Sequence, residues 1–168
     1  PIAPVVVPAA QAPCQEQVFY ADDPDFDLRK LLPAPTNTPI DAGPFFCLGL
    51  VLASDPEDSS LTDVTIHRLC VQERDELSMF LAAGRHIEVF RKKAEAAGKP
   101  LPVTINMGLD PAIYIGACFE APTTPFGYNE LGVAGALRQQ PVELVQGVAV
   151  KEKAIARAEI IIEGELLP

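Results

Sequence analysis

Nine consecutive residues, Phe45 to Ala53 (Phe-Phe-Cys-Leu-Gly-Leu-Val-Leu-Ala), carry no charged side chain. A run of this length and character reads as a β-strand buried on both faces. Thr62 to Gln72 and Leu77 to Ala82 read as the next two strands. Leu101 to Met107, Pro141 to Val150 and Ala158 to Glu163 follow as three more, and Gln17 to Tyr20 as a further short candidate. Between them lie helical signals. Arg85 to Ala97 repeats Ile87, Phe90, Ala94 and Ala97 at near-helical spacing, with Gly98 and Pro100 as stop signals. Asp110-Pro111 starts a helix that runs to about Phe119, and Asn129 to Gln139 forms another, rich in the small residues Gly132, Ala134, Gly135 and Ala136. Asp25 to Leu32 is a short helical candidate. The result is an α+β pattern with about six strands and three helices.

A chain of 168 residues suits one domain. The 17 prolines gather at the N-terminus and in two loops. Residues 1–14 therefore read as an extended Pro-rich arm with no room for helix, and 15–168 as the domain proper. The net charge of −10 argues against a nucleic-acid surface, which needs clustered Lys and Arg. The one basic cluster, Arg91-Lys92-Lys93, falls on a helix and reads as a solvated face. Cys14, Cys47, Cys70 and Cys118 form no CxxC pair, and buried thiols without disulfides are expected, pointing to a cytoplasmic setting. No apolar run is long enough to span a membrane, and no signal peptide is evident. The chain begins without Met and stops at Pro168 directly after a strand-like run, so a piece of a longer protein is expected.

Two groups of residues could carry chemistry. Regular alternation puts Arg68 on the apolar face of its strand with Val64, Ile66 and Cys70, opposite Asp63, Thr65 and His67. A guanidinium there must pair with a carboxylate, face a bound anion, or sit where the strand is irregular. Asp63, His86 and Glu130 offer two carboxylates and an imidazole, a set that suits a hard divalent ion such as Mn²⁺ or Mg²⁺ better than zinc. Spacing alone does not bring these three together. The Gly108–Ala112 turn reads as architecture, since Asp110 already places a negative charge at the helix start.

Several stretches together resemble the UbiD family of carboxy-lyases. Pro102-Val-Thr-Ile-Asn-Met-Gly-Leu-Asp-Pro-Ala112 resembles its strand ending in G-x-D-P-A. Asn129-Glu-Leu-Gly-Val-Ala-Gly-Ala-Leu-Arg138 is similar to its E-x-x-x-A-G-x-L-R helix, and Ala158-Glu-Ile-Ile-Ile-Glu-Gly164 to its A-E-I-x-x-E-G strand. Order and spacing agree over roughly Phe45 to Glu165.

The resemblance implies an FMN-binding split β-barrel of Greek-key type with flanking helices, the middle domain of a non-oxidative decarboxylase. Prenylated FMN and Mn²⁺ or Mg²⁺ are the implied cofactors, with a monovalent cation as a further candidate. By position, Ile66, His67 and Arg68 would lie along the flavin, with Arg68 as the catalytic arginine beside the substrate carboxylate. Arg85 and His86 would contact the cofactor phosphate, and Asp63, His86 and Glu130 would hold the metal. Asp63 stands where the family's metal ligand is usually Asn.

That Asp, the Thr65-Ile-His-Arg68 run and the Phe119–Phe126 loop resemble the branch acting on aromatic acids such as gallate, protocatechuate or 4-hydroxybenzoate. The parent would be a homo-oligomer. The family's acidic catalytic segment follows the A-E-I-x-x-E-G strand, so these 168 residues alone are expected to fold without decarboxylating. A split-barrel FMN oxidoreductase and a non-catalytic assembly domain are the rival readings. One geometric conflict is evident: Asp63 and Arg68, five apart, share a face only if the strand bends, bulges or begins after Asp63.

Overall fold

The computed structural model describes residues 1–119 and 124–168. Among these, β1 (Val5–Val6) and α1 (Leu28–Leu31) precede β2 (Phe45–Ser54), β3 (Thr62–Val71) and β4 (Leu77–Met79). Then come α2 (His86–Ala96), β5 (Leu101–Met107), α3 (Pro111–Gly116) and α4 (Glu130–Arg138). The chain closes with β6 (Glu143–Gln146), β7 (Lys153–Ile155) and β8 (Ile160–Leu166).

A curled, antiparallel five-stranded half-barrel in the order β4-β3-β2-β5-β8 forms the main sheet, and β1-β6-β7 forms a smaller one. The apolar run at 45–53 is the central strand β2. Its alternation serves two cores. Val51 and Ala53 pack with Ile87, Phe90 and Ala94 of α2, while Leu50 and Leu52 pack with Ile113 of α3 and Leu131 and Ala134 of α4. Helices on both faces explain why the strand has no polar side.

Buried polar groups join the two sheets. Asn106 on β5 is wholly buried; its Oδ1 accepts the Ile155 N–H of β7 at 2.8 Å. Its Nδ2 lies 3.1 Å from the Leu50 carbonyl and 3.1 Å from Thr104 Oγ1, and the Thr104 hydroxyl donates to the Lys153 carbonyl at 2.6 Å. The Gly147–Val150 turn is held from β8, where Glu163 accepts the N–H groups of Val148, Ala149 and Val150.

The structure corrects several expectations. Residues 17–20 form no strand: Val18, Phe19 and Tyr20 are exposed, with no sheet edge to pair against. The expected strand at 77–82 is only Leu77–Met79, which pairs with Leu69–Val71 before the chain turns away. Pro141 to Val150 is not one strand: the chain turns at Gly147 and returns as β7. The N-terminal arm is not merely extended. Val5–Val6 pairs in parallel with Glu143–Leu144, and 3₁₀ turns occupy Ala9–Gln11 and Pro13–Gln15, where the φ of proline is compatible with a tight turn.

All four cysteines are free, but only Cys70 is buried. Cys47 is exposed because β2 is irregular there. Phe46 pairs with Leu69 and Gly49 with His67, so Cys47 and Leu48 together oppose Arg68. This two-for-one bulge turns its residues outward, and Cys47, Leu48 and Arg68 are all exposed. The guanidinium that seemed to break a buried face therefore sits in solvent.

Candidate metal centre

Three first-turn or first-pair positions meet at one point. Asp63 is the second residue of β3, His86 the first of α2 and Glu130 the first of α4. All three are buried, and one ligand atom from each lies within 4.8 Å of the other two. Local sequence explains the placement. Asn129 caps α4, its side chain accepting the Gly132 N–H at 2.9 Å, and this sets Glu130 at the helix start. Gly116 lets α3 lie against that start: a Cβ there would come 2.7 Å from the Glu130 carbonyl oxygen.

Asp63 acts in two directions. Its Oδ2 accepts the Ile87 N–H of α2 at 2.9 Å, supplying from the strand the cap that the Arg85 side chain does not. Its Oδ1 lies 3.8 Å from His86 Nδ1. Glu130 differs: both of its carboxylate oxygens are buried without a hydrogen-bond partner. Burial, with a smaller contribution from the Asp63 charge, pushes the Glu130 carboxyl up to about 8. Burial also raises Asp63, against the opposing pull of His86 and the Ile87 N–H.

A carboxylate with two orphaned oxygens beside a second acid and an imidazole lacks a positive charge. A divalent cation supplies it. In a Mg²⁺-like octahedron, with ligands at about 2.1 Å, opposite donors stand roughly 4.2 Å apart, so the observed spacing closes around an ion after small side-chain movements. Three protein donors leave further coordination positions for other oxygens. The residues present fit a hard divalent ion.

The remaining predicted residues divide along β3. His67 shares the Asp63 face; burial lowers its pKa, a backbone hydrogen bond at Phe80 opposes this, and the Arg85 charge adds to the lowering. Its Nε2 is buried without a partner. Arg85 immediately precedes α2 beside the triad. Ile66 and Arg68 lie on the other face, Ile66 packing with the Leu50–Ile113–Leu131 core. Strand β3 runs unbroken from Thr62, and the bulge lies on its partner β2, so Asp63 and Arg68 do point apart. Arg68 makes no hydrogen bond or ion pair with the triad. Of the Phe119–Phe126 loop, 120–123 lie outside the described residues.

The basic cluster on α2 is paired rather than bare. Arg91 bonds Glu88 and Glu95, Lys92 bonds Glu88, and Lys93 bonds Asp55 and Glu57. Sequence reading missed Asp55, whose acidic-loop position gave no sign that its carboxylate would be fully buried. No helix among the described residues is long and apolar enough to cross a membrane.

The half-barrel fold and the cluster of two carboxylates and an imidazole can now be set beside known proteins. The chain matches the UbiD profile, the 3-octaprenyl-4-hydroxybenzoate carboxy-lyase Rift-related domain, over residues 5–168, and it belongs to that family. Gallate decarboxylase of Lactiplantibacillus plantarum is 56% identical over all of this chain and 34% of its own length. The apo structure of 3,4-dihydroxybenzoic acid decarboxylase from Enterobacter cloacae is 98% identical with a TM-score of 0.94, again over all of this chain and 34% of that one. An evolved dimeric form of the UbiD-class enzyme HmfF from Pelotomaculum thermopropionicum, in complex with prFMN, is 38% identical with a TM-score of 0.91, over 38% of its chain. The chain thus spans about a third of the length of these relatives.

Proposed function

We propose that this chain is the flavin- and metal-binding domain of a non-oxidative decarboxylase of dihydroxy- or trihydroxybenzoates. The observation that carries this is the meeting of Asp63, His86 and Glu130, with both Glu130 carboxylate oxygens buried and without a hydrogen-bond partner. A prenylated flavin, when bound, supplies the electrophile and electron sink for loss of CO₂ from an aromatic acid. The chain's own residues hold and orient. Asp63, His86 and Glu130 would hold Mn²⁺ or Mg²⁺, and Arg85 would add positive charge for the cofactor phosphate. Arg68 stands five residues along the same strand, about 16 Å away. An elongated nucleotide with an anionic end and a flat ring end suits that spacing. By family position Ile66, His67 and Arg68 would contact the flavin, with Ile66 and Arg68 on the face of β3 opposite Asp63 and His67, and Arg68 would offer a bidentate cation for the substrate carboxylate.

The gallate and 3,4-dihydroxybenzoic acid decarboxylases among the relatives support the substrate class, and the HmfF complex supports prenylated FMN. Homo-oligomeric assembly and a cytoplasmic setting belong to the same reading. A split-barrel FMN oxidoreductase would have no use for the buried acid pair.

The test is a full-length polypeptide carrying these residues, loaded with prenylated FMN and Mn²⁺ and offered gallate, protocatechuate and 4-hydroxybenzoate. CO₂ release is expected, and Arg68→Ala should lower kcat/KM by roughly 10²–10³. The 168 residues alone are expected to release none. Oxidation of a nicotinamide donor without CO₂ release would favour the oxidoreductase.

A further inference from the structure

Phe126 lies outside the triad, yet it touches the imidazole. Its ring meets His86 edge-on, with centroids 5.1 Å apart and planes at 82°. It meets Phe90 in the same manner at 5.7 Å. Lys93 Nζ stands over its ring, 5.9 Å from the centroid. His86, Phe90 and Lys93 are positions i, i+4 and i+7 of α2, so one ring covers a single stripe along the first two turns of the helix.

Both sides of this contact are anchored. Lys93 is tied to the buried Asp55 at 2.6 Å and to Glu57 at 3.0 Å. Phe126 occupies a tight turn in which the Tyr128 N–H donates to the Pro125 carbonyl at 3.1 Å. Gly127 takes φ 82°, as a type II turn requires at its third residue. The residue is nevertheless 46% exposed, so it lies over His86 as a cover.

A metal-binding histidine is ordinarily held by a hydrogen bond from its second ring nitrogen. Among the described residues the His86 ring makes none. What fixes its plane is the edge-to-face contact with Phe126, a geometry that aromatic pairs favour. We infer that Phe126 is a positioning residue: it holds the His86 imidazole toward Asp63 and Glu130 and so sets the affinity of the site for a divalent cation. This rests on the metal reading above and adds to it a residue that ligates nothing.

The test is a double-mutant cycle read by Mn²⁺ affinity, using the electron paramagnetic resonance of free Mn²⁺ and the purified protein without flavin. Phe126→Ala is expected to weaken binding by about 10- to 100-fold, the usual cost of losing a partner that orients a ligand. Phe126→Tyr keeps the ring and should retain most of the affinity. Phe126→Leu fills the space without a ring, folds as wild type by circular dichroism, and should bind more weakly than Phe126→Tyr. In a His86→Ala background, Phe126→Ala should change affinity by less than about twofold. Wild-type affinity in both Phe126→Ala and Phe126→Leu, or an undiminished loss in the His86→Ala background, overturns the inference while the metal site stands. If wild type itself binds no Mn²⁺, the metal reading fails first and takes this inference with it.

Discussion

Glu130→Gln is expected to make the metal-free protein more stable at alkaline pH and, at the same time, to remove its Mn²⁺ site. In the fold the Glu130 carboxyl is pushed up to about 8, against an ordinary value of 4.5. Between those limits the folded protein keeps a proton that the unfolded chain has lost, so stability falls as pH rises. Above about 8 the charge is present in both states and the whole cost of burying it without a partner is felt. Gln carries no charge, so it lifts that cost. A gain of about 1–2 kcal/mol at pH 9, vanishing below pH 4.5, is expected, because uncompensated buried charge is worth several kcal/mol and the amide also lacks partners. Urea denaturation across this pH range measures it. Mn²⁺ should stabilise wild type and leave the variant unaffected. A variant less stable than wild type at pH 9 would show that Glu130 has a partner that this account lacks.

Asn106→Ala is expected to cost the protein about 3–4 kcal/mol at any pH. The substitution strands the Ile155 N–H in a dry interior, removes a donor to the Leu50 carbonyl and leaves a cavity between the two sheets. For a chain of this size that corresponds to a fall in Tm of roughly 10 °C. Asn106→Asp should be as damaging, since Nδ2 donates into the Leu50 carbonyl and a carboxylate would repel it. Scanning calorimetry at pH 7 would expose an error here: a loss under 1 kcal/mol would mean that the sheets hold together without this link.

Much of the fold was legible because its signals are local. Phe45 to Ala53 has no polar side, and the structure covers Gly49 to Ala53 on both, leaving only the Cys47–Leu48 bulge exposed. Asp110-Pro111 is a strong helix start and caps as expected, Asp110 accepting the Ala112 N–H; Asn129, read only as the start of a helix, proves to cap it by accepting the Gly132 N–H. What failed depended on distant partners. Residues 17–20 have strand composition but no edge to join. The β6–β7 hairpin rests on Glu163, on a strand that follows it, seizing the Gly147–Val150 turn. The bulge opposite Arg68 is set by pairing with β2, and no pattern within β3 reveals it.

The site shows the same division. Asp63, His86 and Glu130 stand 23 and 44 residues apart in sequence, so only family resemblance could group them before the structure did. Their meeting follows from topology: β3 begins where α2 and α4 both begin. The conflict over Asp63 and Arg68 was correctly visible in the alternation of a regular strand. The structure keeps the two residues on opposite faces, because β3 is unbroken and the irregularity lies on β2. Phe126 carried no local signal at all, because its meaning depends on which helix the loop reaches.

The most direct test of the metal centre is calorimetric titration of the protein with Mn²⁺ at pH 6.5 in two buffers of different ionisation heat. Glu130 should still be protonated there, and a bound cation must displace that proton. The predicted result is one saturable site per chain with release of about one proton, both lost in Glu130→Gln. Absence of saturable binding, or binding with no proton release that survives in Glu130→Gln, would contradict the assignment of Asp63, His86 and Glu130 as a metal site.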